Sequence, residues 1–147
     1  MNQYLEIPFR LHSLNEVNAA NRGSRYLGAQ LKRETDAALS LIIKAAHMKP
    51  VQLPCIVHML FEEPNKRRDV DNVESAKKFI LDALVKSGIL QNDTPKYVIG
   101  SPSFTRYVDG GARVLVTIIE DEDEDRLRHK LRTASEVITE DWHESDV

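Results

Sequence analysis

Cysteine is almost missing from this chain of 147 residues; Cys55 stands alone. A single thiol closes no internal disulfide and builds no cysteine zinc site. Its setting between Pro54 and Ile56, in an apolar stretch, reads as a buried structural thiol. The five histidines, His12, His47, His58, His129 and His143, show no ligand spacing, so histidine is not expected to hold a metal either. Aromatic residues make up 6% of the chain, and the one tryptophan, Trp142, sits in a polar tail. No apolar run is long enough to span a bilayer. The opening Met1-Asn2-Gln3-Tyr4-Leu5-Glu6 lacks the basic start and apolar middle of a signal peptide. A cytoplasmic protein with no membrane partner is the expectation.

At this length, and with 41% hydrophobic residues, the chain suits one domain with one compact core. The charge is unevenly spread. Residues 120–147 carry 11 acidic and 4 basic side chains, whereas residues 1–119 carry 12 and 16. The division expected is a domain over 1–119 and an acidic extension over 120–147, partly disordered or helical. A basic body suits a polyanionic partner. An acidic tail would compete for that body or recruit a basic partner.

Hydrophobic periodicity predicts the elements. Tyr4 to Phe9 alternates weakly and reads as a strand, and residues 11–28 read as a loop. Leu31, Leu39, Ile42, Ile43 and Ala46 recur at helical spacing between Gly28 and His47, with Pro50 just beyond. Val51 to Phe61 is apolar and reads as a strand. A second helix is expected to begin near Asp71 or Asn72, either able to cap it, with Gly88 as its stop. Tyr97–Val108 and Arg113–Ile119 read as two strands joined as a hairpin by Asp109-Gly110-Gly111. The order is β-α-β-α-β-β, a small α/β (α+β) domain with two main helices. The acidic run Glu120–Asp125 reads as solvated, with Leu127, Leu131 and Val137 marking a short helix beyond it.

The feature that carries chemistry is Arg67-Arg68-Asp69-Val70-Asp71-Asn72. Two carboxylates two residues apart point the same way on an extended segment. Hard oxygen ligands of this kind suit magnesium or manganese, with basic neighbours to admit a phosphate. A calcium loop starting at Asp69 fails, because Val73, Glu74 and Ile80 fall where an oxygen ligand, glycine and glutamate are needed. A capping Asp71 beside a solvated Asp69 fits the local pattern equally well. Lys77 and Lys78, about two helical turns on, and Asp93, in a turn after Gly88, favour the metal site. Asp82 stands four residues after Lys78 and is placed to pair with it.

These residues carry a family resemblance. RRDVDN followed by AKKFILDALVKSGILQND resembles the RusA family of Holliday-junction resolvases, whose pattern is Arg-Asp-x-Asp-Asn, a helical lysine, Asp-Ala-Leu, a glycine and an acidic pair. IPFRLHSLNEVNAANRGSRYLGAQLKRE is similar to the loop and lysine-bearing first helix of a branch often found in phages and prophages. The likeness covers roughly residues 5–119. It implies a mixed sheet, a homodimer, and magnesium- or manganese-dependent nicking of four-way DNA junctions in recombination and repair. By position, Asp69, Asp71 and Asp93 match the metal-binding acids, Lys78 the catalytic lysine and Asn72 the motif asparagine. The chain departs from the pattern twice. The stretch from Asp71 to Asp82 is nearly one helical turn longer, which sets Lys77 against Lys78, and the acidic pair becomes Asn92-Asp93.

The expected reaction is in-line attack of an activated water on a phosphodiester, leaving a 5′-phosphate and a 3′-hydroxyl. Lys78 would stabilise the transition state. Phosphate contacts are expected from Arg10, Arg22, Arg25, Lys32, Lys66, Arg67, Arg68 and Lys77. Tyr26 and Tyr107 can stack on an unpaired base or pack at the rim. The alternatives are a nuclease for flaps or forks, a DNA-binding protein that does not cut, and an interaction module whose acidic pair caps a helix.

Overall fold

The computed structural model describes residues 2–9, 11, 25–64 and 76–134. Among them are five strands in one mixed sheet and three helices: β1 (Asn2–Ile7), α1 (Arg25–Ala45), β2 (Cys55–Glu63), α2 (Lys77–Lys86), β3 (Val98–Gly100), β4 (Ser103–Tyr107), β5 (Arg113–Glu120) and α3 (Glu124–Arg132). None of these helices is long and apolar enough to cross a membrane.

Strand β2 lies at the centre because its sequence tolerates burial on both faces; all nine of its residues are buried. One edge pairs antiparallel with β5, from Cys55 opposite Glu120 to Glu62 opposite Arg113. Strand β5 pairs in turn with β1, an antiparallel edge strand that ends where Pro8 removes a donor. The other edge of β2 is shared. Strand β3 pairs parallel beside Cys55 and Ile56, and β4 pairs parallel from Met59 to Glu63.

The hairpin expected across Asp109-Gly110-Gly111 is therefore split. Its two strands run antiparallel, but β2 is inserted between them and β4 and β5 pair with β2 instead. The turn spans the width of a strand, with Gly110 at φ 150° and Val108 N–H donating to Glu63 O at 3.0 Å. Burial explains the outcome. The most apolar strand gains a partner on both edges, and the segment read as one strand over 97–108 breaks at Ser101-Pro102, where proline interrupts the ladder.

Alternation divides the sheet. Cys55, Val57, Met59, Phe61, Val114, Val116 and Ile118 face the main core with Leu5 and Ile7. Against this first face pack α1, through Leu39 and Ile43, and α2, through Phe79, Ile80, Ala83 and Leu84. An ion pair, Lys86 Nζ to Asp36 Oδ2 at 3.1 Å, ties the two helices. Helix α1 ends at Ala45 with His47 in the left-handed region, at φ 52°, ahead of Pro50. Helix α2 stops as expected at Gly88, φ 77°, where Ile89 and Leu90 N–H both return to Leu84 O.

The second face carries Ile56, His58, Leu60 and Glu62 of β2 beside Leu115, Thr117 and Ile119 of β5. Helix α3 packs on its near end, where Leu127 is fully buried against Ile56 and Ile119, with Ile99 and Leu131 alongside. Gly100 makes room, since a Cβ there would lie 2.6 Å from Leu131 Cδ1.

The acidic run before α3 is more structural than its composition suggests. Glu120 Oε2 accepts from the Gln52 and Leu53 N–H groups at 3.3 Å. Asp121 is buried and binds Arg126 Nη2 at 2.7 Å, which together with the Asp123 N–H holds its carboxyl well below the usual range. Asp123 caps α3 by accepting from Arg126 N–H at 3.1 Å. Glu122, Glu124 and Asp125 remain exposed.

Candidate metal and nucleic-acid site

Asp69, Asp71 and Asn72 lie outside the described residues, as do Lys66, Arg67, Arg68, Arg10 and Arg22. Arg25 opens α1, and its side chain is not described. The flanks of the acidic segment are described. Strand β2 closes with Glu62 and Glu63, both buried, and Pro64 is exposed. On the far side Ala76 is fully buried in the main core, immediately before α2. Ala76 offers no capping side chain, and the capping role expected of Asp71 or Asn72 falls outside the described residues. The segment thus joins the C-terminal end of the central strand to the N-terminal end of the helix packed beside it.

The two lysines divide clearly. Lys77 is half-buried, and its Nζ donates to Ser101 O at 3.1 Å, fastening the start of α2 to the β3–β4 break. Lys78 is exposed and makes no ion pair with Asp82, although the two are four residues apart; Asp82 is half-buried. Helical spacing makes such a pair available but does not oblige it. Lys32 is exposed on α1, and Tyr107 is exposed at the end of β4, on the rim.

Asp93 is exposed in the turn between α2 and β3. Asn92, which replaces the first acid of the family's pair, shapes this turn: its Oδ1 accepts from Thr94 N–H at 3.1 Å. Lys78 stands at the start of α2 and Asp93 beyond its end. No three histidine, cysteine or acidic side chains converge anywhere among the described residues.

No family model matches the chain, and no curated protein matches it.

One buried network escaped the sequence reading. Glu62, at the far end of the second face, is 2% exposed and accepts charge-assisted hydrogen bonds from Arg106 on β4 and Arg113 on β5. Arg113 also reaches Glu6 of β1 at 3.2 Å. Burial pushes the Glu62 carboxyl up, but the two guanidinium groups outweigh it and hold the group below its ordinary value. Phe61-Glu62-Glu63 looks like the polar end of a strand in sequence. Only the register, with Glu62 opposite both arginines, reveals a cross-strand ion cluster. It clamps four strands, β1, β2, β4 and β5, at the end of the sheet from which the acidic segment departs.

His58 is the second such feature. It is 1% exposed, stacks on Phe104 with ring centres 5.3 Å apart, and donates through Nε2 to Ala134 O at 2.8 Å. A carbonyl only accepts, so the proton sits on Nε2.

Proposed function

We propose that this chain is a magnesium- or manganese-dependent endodeoxyribonuclease that nicks branched DNA, four-way junctions first among its substrates, and acts as a homodimer. The observation that carries the reading is the run Arg68-Asp69-Val70-Asp71-Asn72 followed, in the order of the RusA pattern, by Lys78 four residues before Asp82-Ala83-Leu84 and by Asp93 after Gly88. Its placement between a central strand and a helix start agrees with it, as does an exposed Lys78 beside a tethered Lys77.

Asp69, Asp71 and Asp93 would hold the cation. The exposed carboxylate of Asp93 is a hard oxygen donor with no ion pair among the described residues, which fits that role. When bound, such a cation polarises a phosphate oxygen and makes water a better nucleophile at neutral pH. The chain's own contribution is positional. Lys77 fixes the first turn of α2 against Ser101, so that Lys78 presents its ammonium toward a phosphodiester from a rigid base. Arg67 and Arg68 lower the cost of bringing a polyanion to three carboxylates. Two copies related by a two-fold axis match the symmetry of a four-way junction and the two cuts that resolve it. Phosphate contacts supply most of the affinity, so binding weakens steeply with salt.

The test is a labelled four-way junction, a fork and a duplex incubated with magnesium, manganese or chelator, with Asp71→Asn and Asp93→Asn beside the parent chain. Paired symmetric nicks on the junction, lost in both variants and in chelator, are the expected result. Preferential cutting of forks moves the substrate to other branched DNA. Intact DNA in every lane with either metal sinks the enzyme reading, and retained junction binding would then leave a protein that binds without cutting.

A further inference from the structure

A cleft of about 520 Å³ lies where the C-terminal ends of α1 and α2 come together. Its charged lining is of one sign. Lys44, in the last turn of α1, makes no ion pair or hydrogen bond among the described residues. Lys86, in the last turn of α2, gives one N–H to Asp36 Oδ2 at 3.1 Å and keeps two more. Among the described residues no carboxylate lines the cleft. Ser40 and Ser87 add hydroxyl groups to the wall, and His47 adds a ring N–H.

Cations in a last turn complement the helix dipole wherever they occur, and Lys44 and Lys86 do so here. That role asks for no cleft, no hydroxyl groups and no histidine. His47 stands at φ 52°, a conformation that glycine adopts freely and that strains a residue with a Cβ. Strain of this kind gathers at places that hold ligands. The floor is apolar, with Ile43 and Ile89 both buried. Small-molecule sites combine such a floor with a few convergent polar groups in volumes of about 300–1,000 Å³. The volume here is more than a bare tetrahedral anion fills.

We propose that this cleft binds a nucleotide unit, with its phosphate held by Lys44 and Lys86 and its sugar or base against Ile43 and Ile89. Ser40, Ser87 and His47 donate hydrogen bonds to the phosphate oxygens. The unit is a free mononucleotide or one nucleotide of a strand, because the chemistry recognised is the same. A strand seated here would run past the turn that carries Asp93, which opens from the same wall after Ser87 and Ile89.

Equilibrium dialysis of the full chain in chelator tests the site apart from any cutting. Thymidine 5′-monophosphate should bind, inorganic phosphate more weakly, and thymidine not at all. Lys44→Gln and Lys86→Gln should each weaken the mononucleotide about tenfold, the loss of one charge-assisted hydrogen bond. Arg128→Gln removes the same charge from α3, on the other face of the sheet, and should leave the affinity unchanged. His47→Gly should raise the urea midpoint and weaken binding together; a histidine that only ends the helix would raise the midpoint alone. A single-stranded thymidine tetranucleotide bound more tightly than the mononucleotide, and weakened by Lys44→Gln, makes a strand the source. Equal affinities make it a free nucleotide. No retention of the mononucleotide, or retention that both lysine variants leave intact, overturns the proposal. So does inorganic phosphate that binds as tightly as the mononucleotide, since the apolar floor then contributes nothing. Junction cutting by a chain that fails this assay would leave the nuclease reading standing.

Discussion

Replacing Leu127 by alanine tests whether the residues after β5 belong to the fold. Leu127 is fully buried among Ile56, Ile119, Ile99 and Leu131, a cluster separate from the main core. Removing a buried leucine side chain to its Cβ costs about 2–5 kcal/mol, made up of lost transfer energy and the cavity left behind. Helix α3 is short and held at its start by Asp121, Asp123 and Arg126, so its free end can settle inward and close part of the hole. That places the loss near about 2.5 kcal/mol, toward the lower end of the range. Against a typical domain stability of about 5–15 kcal/mol this is a large fraction. In urea the midpoint should fall by roughly 1–2 M with an unchanged slope. The thermal midpoint should drop by about 10 °C. Leu131→Ala, at a half-buried position in the same cluster, should cost less. A loss below about 0.5 kcal/mol for Leu127→Ala would mean that α3 contributes nothing to the folded state, and the packing argument would fail.

Three further outcomes follow from the ion cluster, the lysines and the thiol. Glu62→Gln should cost about 1–3 kcal/mol at pH 7, because it leaves two arginines facing a neutral amide. The folded state holds this carboxyl below its ordinary value, so its stabilisation is present above the unfolded value and lost as pH falls through the folded one; urea midpoints of parent and variant should converge below about pH 4. Lys78→Ala should abolish nicking and leave the urea midpoint unchanged, whereas Lys77→Ala should lower stability by about 1 kcal/mol through loss of its bond to Ser101. Cys55 is fully buried, and burial, then the charge of Glu120, pushes its thiol up to about 12; alkylation at pH 8 should therefore be slow in the native chain and fast in urea.

The elements of this fold are written locally, and their partners are not. The stripe from Leu31 to Ala46 marks α1, and Gly88 ends α2 through the left-handed conformation its sequence position suggested. Nothing local tells β5 to pass beyond β4 and pair with β2. A two-glycine turn between alternating segments reads the same whether its strands meet or straddle a third, and the choice is made by how much apolar surface β2 buries. The acidic run misleads for a similar reason. Asp121 and Asp123 do structural work beside exposed Glu122 and Glu124, and only the approach of Arg126 and the α3 N–H groups distinguishes them. Of the candidate site, spacing offers residue types and no more, because which of Asp69, Asp71, Lys78 and Asp93 meet depends on tertiary packing, and the first two lie outside the described residues.

The insertion of β2 between β4 and β5 also sets a timetable. During synthesis the central strand emerges early, with one edge waiting for residues 98–107 and the other for residues 113–120. The first strand waits longer still, since Asn2 pairs with Ile119. Such distant pairings fold slowly and keep strand edges open in the meantime. Until β5 leaves the ribosome, the most apolar strand of the protein has no partner on one edge.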